Sequence, residues 1–222
     1  MSKERNALIV FLKNPLPGHV KTRLAAGIGD EKALHIYIEL LKITAEAVKS
    51  LPGASVFLYF NEATPGDASA EDHRARVDAF RNGDDCTVAI QEGNDLGKRM
   101  LNAFDDVKKK GFEKICIIGT DCPALSSGLL AEAFLALDTR DLVIGPAIDG
   151  GYYLLGMKQI HASLFGDKNW STSSVLESTR ADAEKAGLSV ALLRQLRDVD
   201  DADDLAFFPD LKSIIFTGKD TG

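Results

Sequence analysis

Ala7-Leu8-Ile9-Val10-Phe11-Leu12 runs without a polar residue and is broken by Asn14, Pro15, Pro17 and Gly18. A strand buried on both faces carries apolar side chains at consecutive positions, so this run reads as a central strand feeding a loop. Another strand is expected at Lys114–Ile118 (KICII), followed at once by Gly119-Thr120-Asp121-Cys122-Pro123. Further strands are expected at Ser55–Phe60, Cys86–Gln91, Asp141–Ile144, Tyr152–Met157 and Ser189–Leu193.

Helical patterns fall between them. Leu34, Ile38, Leu41, Ala45 and Val48 recur at helical spacing over Asp30–Ser50, which Pro52-Gly53 terminates. Helices are also expected over 71–80, 95–110, 127–137 and 173–186, with a polar segment from Glu62 to Glu71. Strands alternating with helices indicate an α/β fold, a mostly parallel sheet with helices on both faces. Tyr152–Met157 is the place for a short antiparallel addition. Residues 1–222 read as a single domain, with no repeat, linker or low-complexity tract.

Composition narrows the function classes. The formal net charge of -7 argues against non-specific binding to nucleic acid or an anionic membrane, although a few cations at one site can still hold phosphates. Cys86, Cys116 and Cys122 form no CxxC pair, which speaks against a disulfide framework or thiolate zinc site and for a reducing compartment. The first apolar run is too short for a signal peptide and no stretch is long enough to span a bilayer, so a cytoplasmic protein is expected.

In an open parallel sheet, ligands bind beyond the carboxyl ends of the strands. The unusual residues of this chain cluster there. After the first strand, Pro17 and Gly18 shape a turn that presents Lys21, a mobile point charge, and Arg23, a planar fork. Both suit phosphate oxygens, and bare backbone N–H groups could add to an anion site. The spacing is neither a P-loop nor the GxGxxG dinucleotide fingerprint, and an ordinary solvated basic loop accounts for the same residues. After Lys114–Ile118 comes Asp121, a hard oxygen donor suited to Mg²⁺ or Mn²⁺, or else a turn former. Asp149-Gly150-Gly151-Tyr152-Tyr153 offers a carboxylate for a ligand hydroxyl and glycines that admit close backbone approach; a plain turn is the alternative. Tyr152 and Tyr153 should face opposite ways, so at most one lines the site.

Near the C-terminal end, Asp198 and Asp200 lie one residue apart and share a side of an extended chain, where either could complete a metal shell with Asp121. A charged helix start at Asp201–Asp204 explains part of the same acidic run. Gln91, Gly93, Leu96 and Gly97 join a strand end to a helix start where a base or ribose could approach. Trp170 precedes Ser171 and Thr172, which read as helix caps.

Taken together, NPxPGxxKTRL (14–24), QxGxDLGxRM (91–100), GTDCPxL (119–125), PAxDGGYYLLG (146–156), WST (170–172) and DVDxxxDL (198–205) resemble the DUF2064, or glycosyltransferase-A-like, group related to nucleotide-diphospho-sugar transferases. The resemblance runs over nearly the whole chain. It extends to the molybdenum-cofactor and phospholactate guanylyltransferases and, more distantly, the sugar-nucleotide pyrophosphorylases. It implies a three-layer Rossmann-like GT-A fold and a transferase. Lys21 and Arg23 would hold donor phosphates, Asp121 would be the principal metal ligand, and Asp200 would complete the metal site. Gln91–Gly97 would face the base and ribose. Two departures stand out: the first loop lacks the glycine-rich form of the pyrophosphorylases, and Gly119 replaces the first acid of a DxD motif.

Two reactions are open under that resemblance. A sugar could pass from a nucleotide sugar to an acceptor hydroxyl, with Asp149 as the candidate base. A nucleotidyl group could instead pass from a nucleoside triphosphate to a phosphorylated small molecule, releasing pyrophosphate. A non-catalytic nucleotide-binding protein is the remaining alternative.

Overall fold

The computed structural model describes residues 5–63, 70–81, 86–166 and 168–217. A seven-stranded sheet in the order β3-β2-β1-β4-β6-β5-β7 runs through its middle. β1 (Asn6–Leu12) pairs in parallel with β2 (Ala54–Phe60) on one side and β4 (Lys114–Ile118) on the other. β2 pairs in parallel with β3 (Cys86–Ile90), and β5 (Leu142–Pro146) with β7 (Val190–Leu192). β6 (Tyr152–Met157) is antiparallel to both β4 and β5. The antiparallel strand foreseen at Tyr152–Met157 is therefore present, and it is internal to the sheet. All five residues of β4 and all five of β5 are buried; Lys114, the charged first residue of β4, is paired with Asp138.

The pleat of β1 divides the core. Leu8, Val10 and Leu12 join Leu58 and Phe60 against α2 (Asp30–Lys49) and α5 (Ser127–Thr139) through Tyr37, Leu41, Leu130 and Phe134. Ala7 and Ile9 face the other way with Phe57, meeting Met100, Phe104 and Val107 of α4 (Leu96–Lys109) and Ala183 of α6 (Val175–Lys185). This makes three layers, helix on sheet on helix. Each fully buried Leu, Ile or Phe contributes roughly 1.5–3 kcal/mol relative to exposure. Surface pairs such as Lys42–Glu39 contribute under about 1 kcal/mol each, so apolar burial decides the fold.

Two short helices differ from the sequence reading. Thr22–Ile28 forms α1, where only a loop was expected, and Pro209–Thr217 forms α7. A third cluster explains both: Leu24, Ala33, Ile36 and Leu40 pack with Val199, Leu205 and Leu211. α1, α2 and the late segment thus support one another across the chain. α3 (Ala70–Ala79) covers most of the helix expected over 71–80, while most of the polar segment Glu62–Glu71 lies outside the described residues. The cap expected at Ser171 or Thr172 is replaced: Ser174 holds the N-cap of α6 without a side-chain bond, and the Thr172 hydroxyl donates to Asn169 O at 2.7 Å. No described helix is long and apolar enough to cross a membrane.

Candidate functional site

From β1 the chain proceeds to β2 and β3 on one side, then returns to place β4 on the other. That reversal opens a crevice at the carboxyl ends of β1 and β4, the location where parallel α/β sheets bind ligands. A cleft of about 590 Å³ lies there, lined by Lys21, Arg23, Asp121, Asp149, Asp198 and Asp200 among others.

Lys21 occupies the N-cap position of α1 with φ 49° and ψ 45°, a left-handed conformation uncommon outside glycine. Its side chain is only 6% exposed, paired with Asp121 and 3.7 Å from Asp200. The ammonium also donates to Val199 O at 2.7 Å. Arg23 differs: it is 73% exposed and meets Asp200 Oδ2 at 2.6 Å, so its guanidinium is free to exchange that partner for a ligand oxygen.

Backbone pairing brings the two late acidic segments together. Leu196 N donates to Pro146 O at 3.0 Å, and Ile148 N donates to Leu196 O at 2.9 Å. Val199 is fully buried, which turns Asp198 and Asp200 together toward the cleft. One oxygen from each of Asp149, Asp198 and Asp200 can be chosen so that all lie within 4.8 Å of one another. Asp121 stands outside that group and is paired with Lys21.

The electrostatics follow from this crowding. Burial, then the nearby charges of Asp200 and Asp149, push the Asp198 carboxyl up to about 7. Burial also raises Asp200, against the lowering effect of Lys21 and Arg23. Four carboxylates and the cations Lys21 and Arg23 meet at this end of the cleft, leaving an excess of negative charge. An all-oxygen donor set with unbalanced negative charge fits a hard divalent cation.

Other acids of the late run have local duties. Asp204 Oδ2 accepts from Asp200 N at 2.9 Å, and Asp201 Oδ1 accepts from Asp203 N at 2.9 Å. A 3₁₀ turn at Asp204–Phe207 stands where a charged helix start was expected. Asp149 Oδ1 accepts from Gly151 N at 2.8 Å, closing the turn before β6. Gly150 has φ 89°, and a Cβ there would come within 2.1 Å of Ser173 O, so this turn needs glycine. Burial drives the Cys122 thiol far up, which removes it as a nucleophile.

Of the segment expected to face a base, Gln91 and Leu96 line the cleft, whereas Gly93 and Gly97 do not. Pro17 and Gly18 also lie off its wall. The Gln91 amide donates to Tyr59 O at 2.9 Å, and Gly93 O accepts from Arg99 Nε at 3.2 Å. Both Tyr152 and Tyr153 reach the cleft, on opposite faces of their strand. Sequence reasoning gave no role to Lys13, Tyr37, Asn61 or Arg99, all of which line it. A signal existed for Arg99, since a cation in a first helical turn opposes the helix dipole.

Gly97 serves packing. A Cβ there would lie 2.3 Å from the Trp170 ring and 2.5 Å from Phe165 O. Gly97→Ala would gain about 1 kcal/mol of helix propensity but lose about 1–3 kcal/mol to overpacking against a backbone atom that cannot yield. The expected result is net destabilisation in a thermal melt, with a shifted emission maximum from Trp170, the single tryptophan of the chain. A melt and spectrum matching the wild type would contradict this contact.

Comparison with known proteins agrees with the architecture. A crystal structure described as a candidate nucleotide-diphospho-sugar transferase from Desulfovibrio desulfuricans G20 superposes with a TM-score of 0.80 and 27% identity, covering 96% of this chain and 97% of that one. A cytidylyltransferase from Leptospira borgpetersenii serovar Hardjo-bovis gives 0.55 at 15% identity, covering 96% and 94%. The inositol-1-phosphate CTP transferase from T. maritima gives 0.50 at 14% identity, covering 98% of each chain. The latter two likenesses concern the fold alone, the Rossmann-like fold of nucleotidyltransferases and GT-A enzymes. No curated protein matches the chain significantly. Residues 44–172, more than half of the sequence, match the family described as "Uncharacterized protein conserved in bacteria (DUF2064)". The chain therefore belongs to the DUF2064 family.

Proposed function

We propose that this transferase acts on a nucleotide sugar, bound through its diphosphate beside a divalent cation at Asp149, Asp198 and Asp200. The observation that carries this reading is the meeting of those three carboxylates next to an exposed arginine at the strand-order reversal. The full-length likeness to a candidate nucleotide-diphospho-sugar transferase supports the donor class. Arg23 would leave Asp200 and fork onto donor phosphate oxygens. Lys21, nearly buried and fixed by Val199 O, would hold positive charge under the same phosphates while keeping Asp121 in place. Mg²⁺ or Mn²⁺ would supply Lewis-acid neutralisation of charge on the departing diphosphate. We read residues 1–222 as one domain built on a single sheet, and the free thiols as fitting a reducing cytoplasm.

Nucleotidyl transfer to a phosphorylated acceptor is the second reading, and one observation favours it. The carboxylates lining the cleft are Asp121, Asp149, Asp198 and Asp200; the first is tied to Lys21 and the others form the acidic group. No glutamate or histidine joins them among the described residues. An acceptor hydroxyl would depend on Asp149 for proton removal, whereas an acceptor phosphate needs no base. Product-resolved turnover by mass spectrometry separates the readings, using Mg²⁺ or Mn²⁺ with pooled nucleotide sugars, nucleoside triphosphates, phosphorylated acceptors and a metabolite extract. Nucleoside diphosphate and a glycosylated product are expected. Pyrophosphate with a nucleotidylated product would sink sugar transfer in favour of the second reading.

A further inference from the structure

Charge is unevenly distributed along the cleft. Its acidic pole comes from the loop after β5 and the segment after β7, at one end of the strand order. Toward the other end, Lys13 follows β1 and Arg99 stands in α4, just after β3. Lys21 and Arg23 are engaged by Asp121 and Asp200, but neither Lys13 nor Arg99 forms an ion pair among the described residues.

Arg99 is also oriented. Its Nε donates to Gly93 O at 3.2 Å, while its terminal nitrogens have no hydrogen-bond partner among the described residues. The Asp95 carboxylate is otherwise occupied: it accepts from Lys98 N at 2.8 Å, capping α4. Leu96 and Met100 of the same helix line the cleft with it, as do Phe11 and Trp170. A guanidinium held at one nitrogen presents a fork to an oxyanion, with less ordering cost on binding than a free side chain.

We infer that this end of the cleft is a second anion subsite, in which Arg99, assisted by Lys13, takes a phosphate or carboxylate group of the acceptor. The inference rests on the proposal that Lys21 and Arg23 serve the donor. It narrows the acceptor to sugars or related small molecules that carry an oxyanion, and makes Arg99 a specificity residue with no part in bond-making.

The test is binding, read from Trp170 emission and confirmed by calorimetry on the full chain. The probes are glucose 1-phosphate, glucuronate and glucose, each with and without UDP and Mg²⁺. Wild type is expected to bind at least one of the two anionic sugars about tenfold to a hundredfold more tightly than glucose. The stronger of the two identifies phosphate or carboxylate as the preferred group. Arg99→Met should erase that preference, Arg99→Lys should keep part of it, and Lys13→Met should weaken it less, all with UDP affinity unchanged and melting temperatures near wild type. Equal binding of glucose and both anions by wild type would overturn the inference. So would an unaltered preference in Arg99→Met, or a loss of UDP affinity as large as the loss of sugar-anion affinity. Failure of UDP to bind wild type at all, with the Arg99-dependent preference intact, would instead count against the donor proposal and leave the anion subsite standing.

Discussion

Asp200→Asn is expected to lower turnover by about a thousandfold, equivalent to about 4 kcal/mol of barrier, and to raise the cation concentration needed for half-maximal rate. Three arrangements fail together in this variant. The acidic group loses one of its charged oxygen donors, Arg23 loses its ionic partner at 2.6 Å, and Lys21 loses a carboxylate 3.7 Å away. Asp201→Asn is the matched control. Its Oδ1 accepts from Asp203 N and Asp204 N, outside the cleft, and the asparagine amide oxygen can take both bonds. Its turnover should stay near wild type. Asp198→Asn sharpens the contrast: it removes a charge from a crowded, partly buried carboxylate group, so the cation-free protein should melt no lower than wild type while losing its response to Mg²⁺. Retention of the wild-type rate and cation dependence by Asp200→Asn would refute the assignment of the acidic group.

Lys21→Met is expected to cost both stability and activity. The side chain is 6% exposed, and its ammonium links Asp121, Asp200 and the backbone of Val199. Methionine fills similar space but leaves the acidic end without its buried cation. Breaking a buried pair by removing one partner typically costs about 3–5 kcal/mol. Because Asp121 is 47% exposed and can be resolvated, the low end, about 3 kcal/mol, is expected here. For a chain of this size that is a fall of roughly 6–12 °C in melting temperature, measurable by differential scanning calorimetry. The backbone strain at φ 49° is the same for both side chains, so the change reports the charge and its hydrogen bond. Lys21→Arg, which keeps the charge in a tight space, should fall between. A melting temperature unchanged in Lys21→Met would mean that the ammonium contributes nothing to the fold.

The strands were legible because burial on both faces leaves a mark in sequence: every residue of β4 is buried, and the four after Lys114 are all apolar. Helix α2 was legible through its spacing and its terminating Pro52-Gly53. What burial cannot encode is the neighbour. β6 reads alike at an edge or inside, and only its pairing with both β4 and β5 places it. Helix α1 escaped because seven residues including Gly27 carry little helical signal of their own. It persists through contacts with residues far along the chain, Leu24 with Val199 and Leu205. The candidate site divides in the same way. That Asp198 and Asp200 share a side follows from strand geometry, whereas the inclusion of Asp149 depends on the backbone bonds between residues 146–148 and Leu196. The pairing of Asp121 with Lys21 was equally hidden, since either residue alone suits a phosphate or a cation.

The bond from Lys21 to Val199 has a further implication, in the time of synthesis. The two residues are 178 positions apart. At about 5–20 residues per second, Lys21 leaves the ribosome roughly ten to forty seconds before its partner exists. Most strands of the sheet can pair in that interval, yet Asp198 and Asp200 arrive only after the last of them, β7, has been made. A nascent chain therefore carries the scaffold before it carries the acidic pole of the cleft.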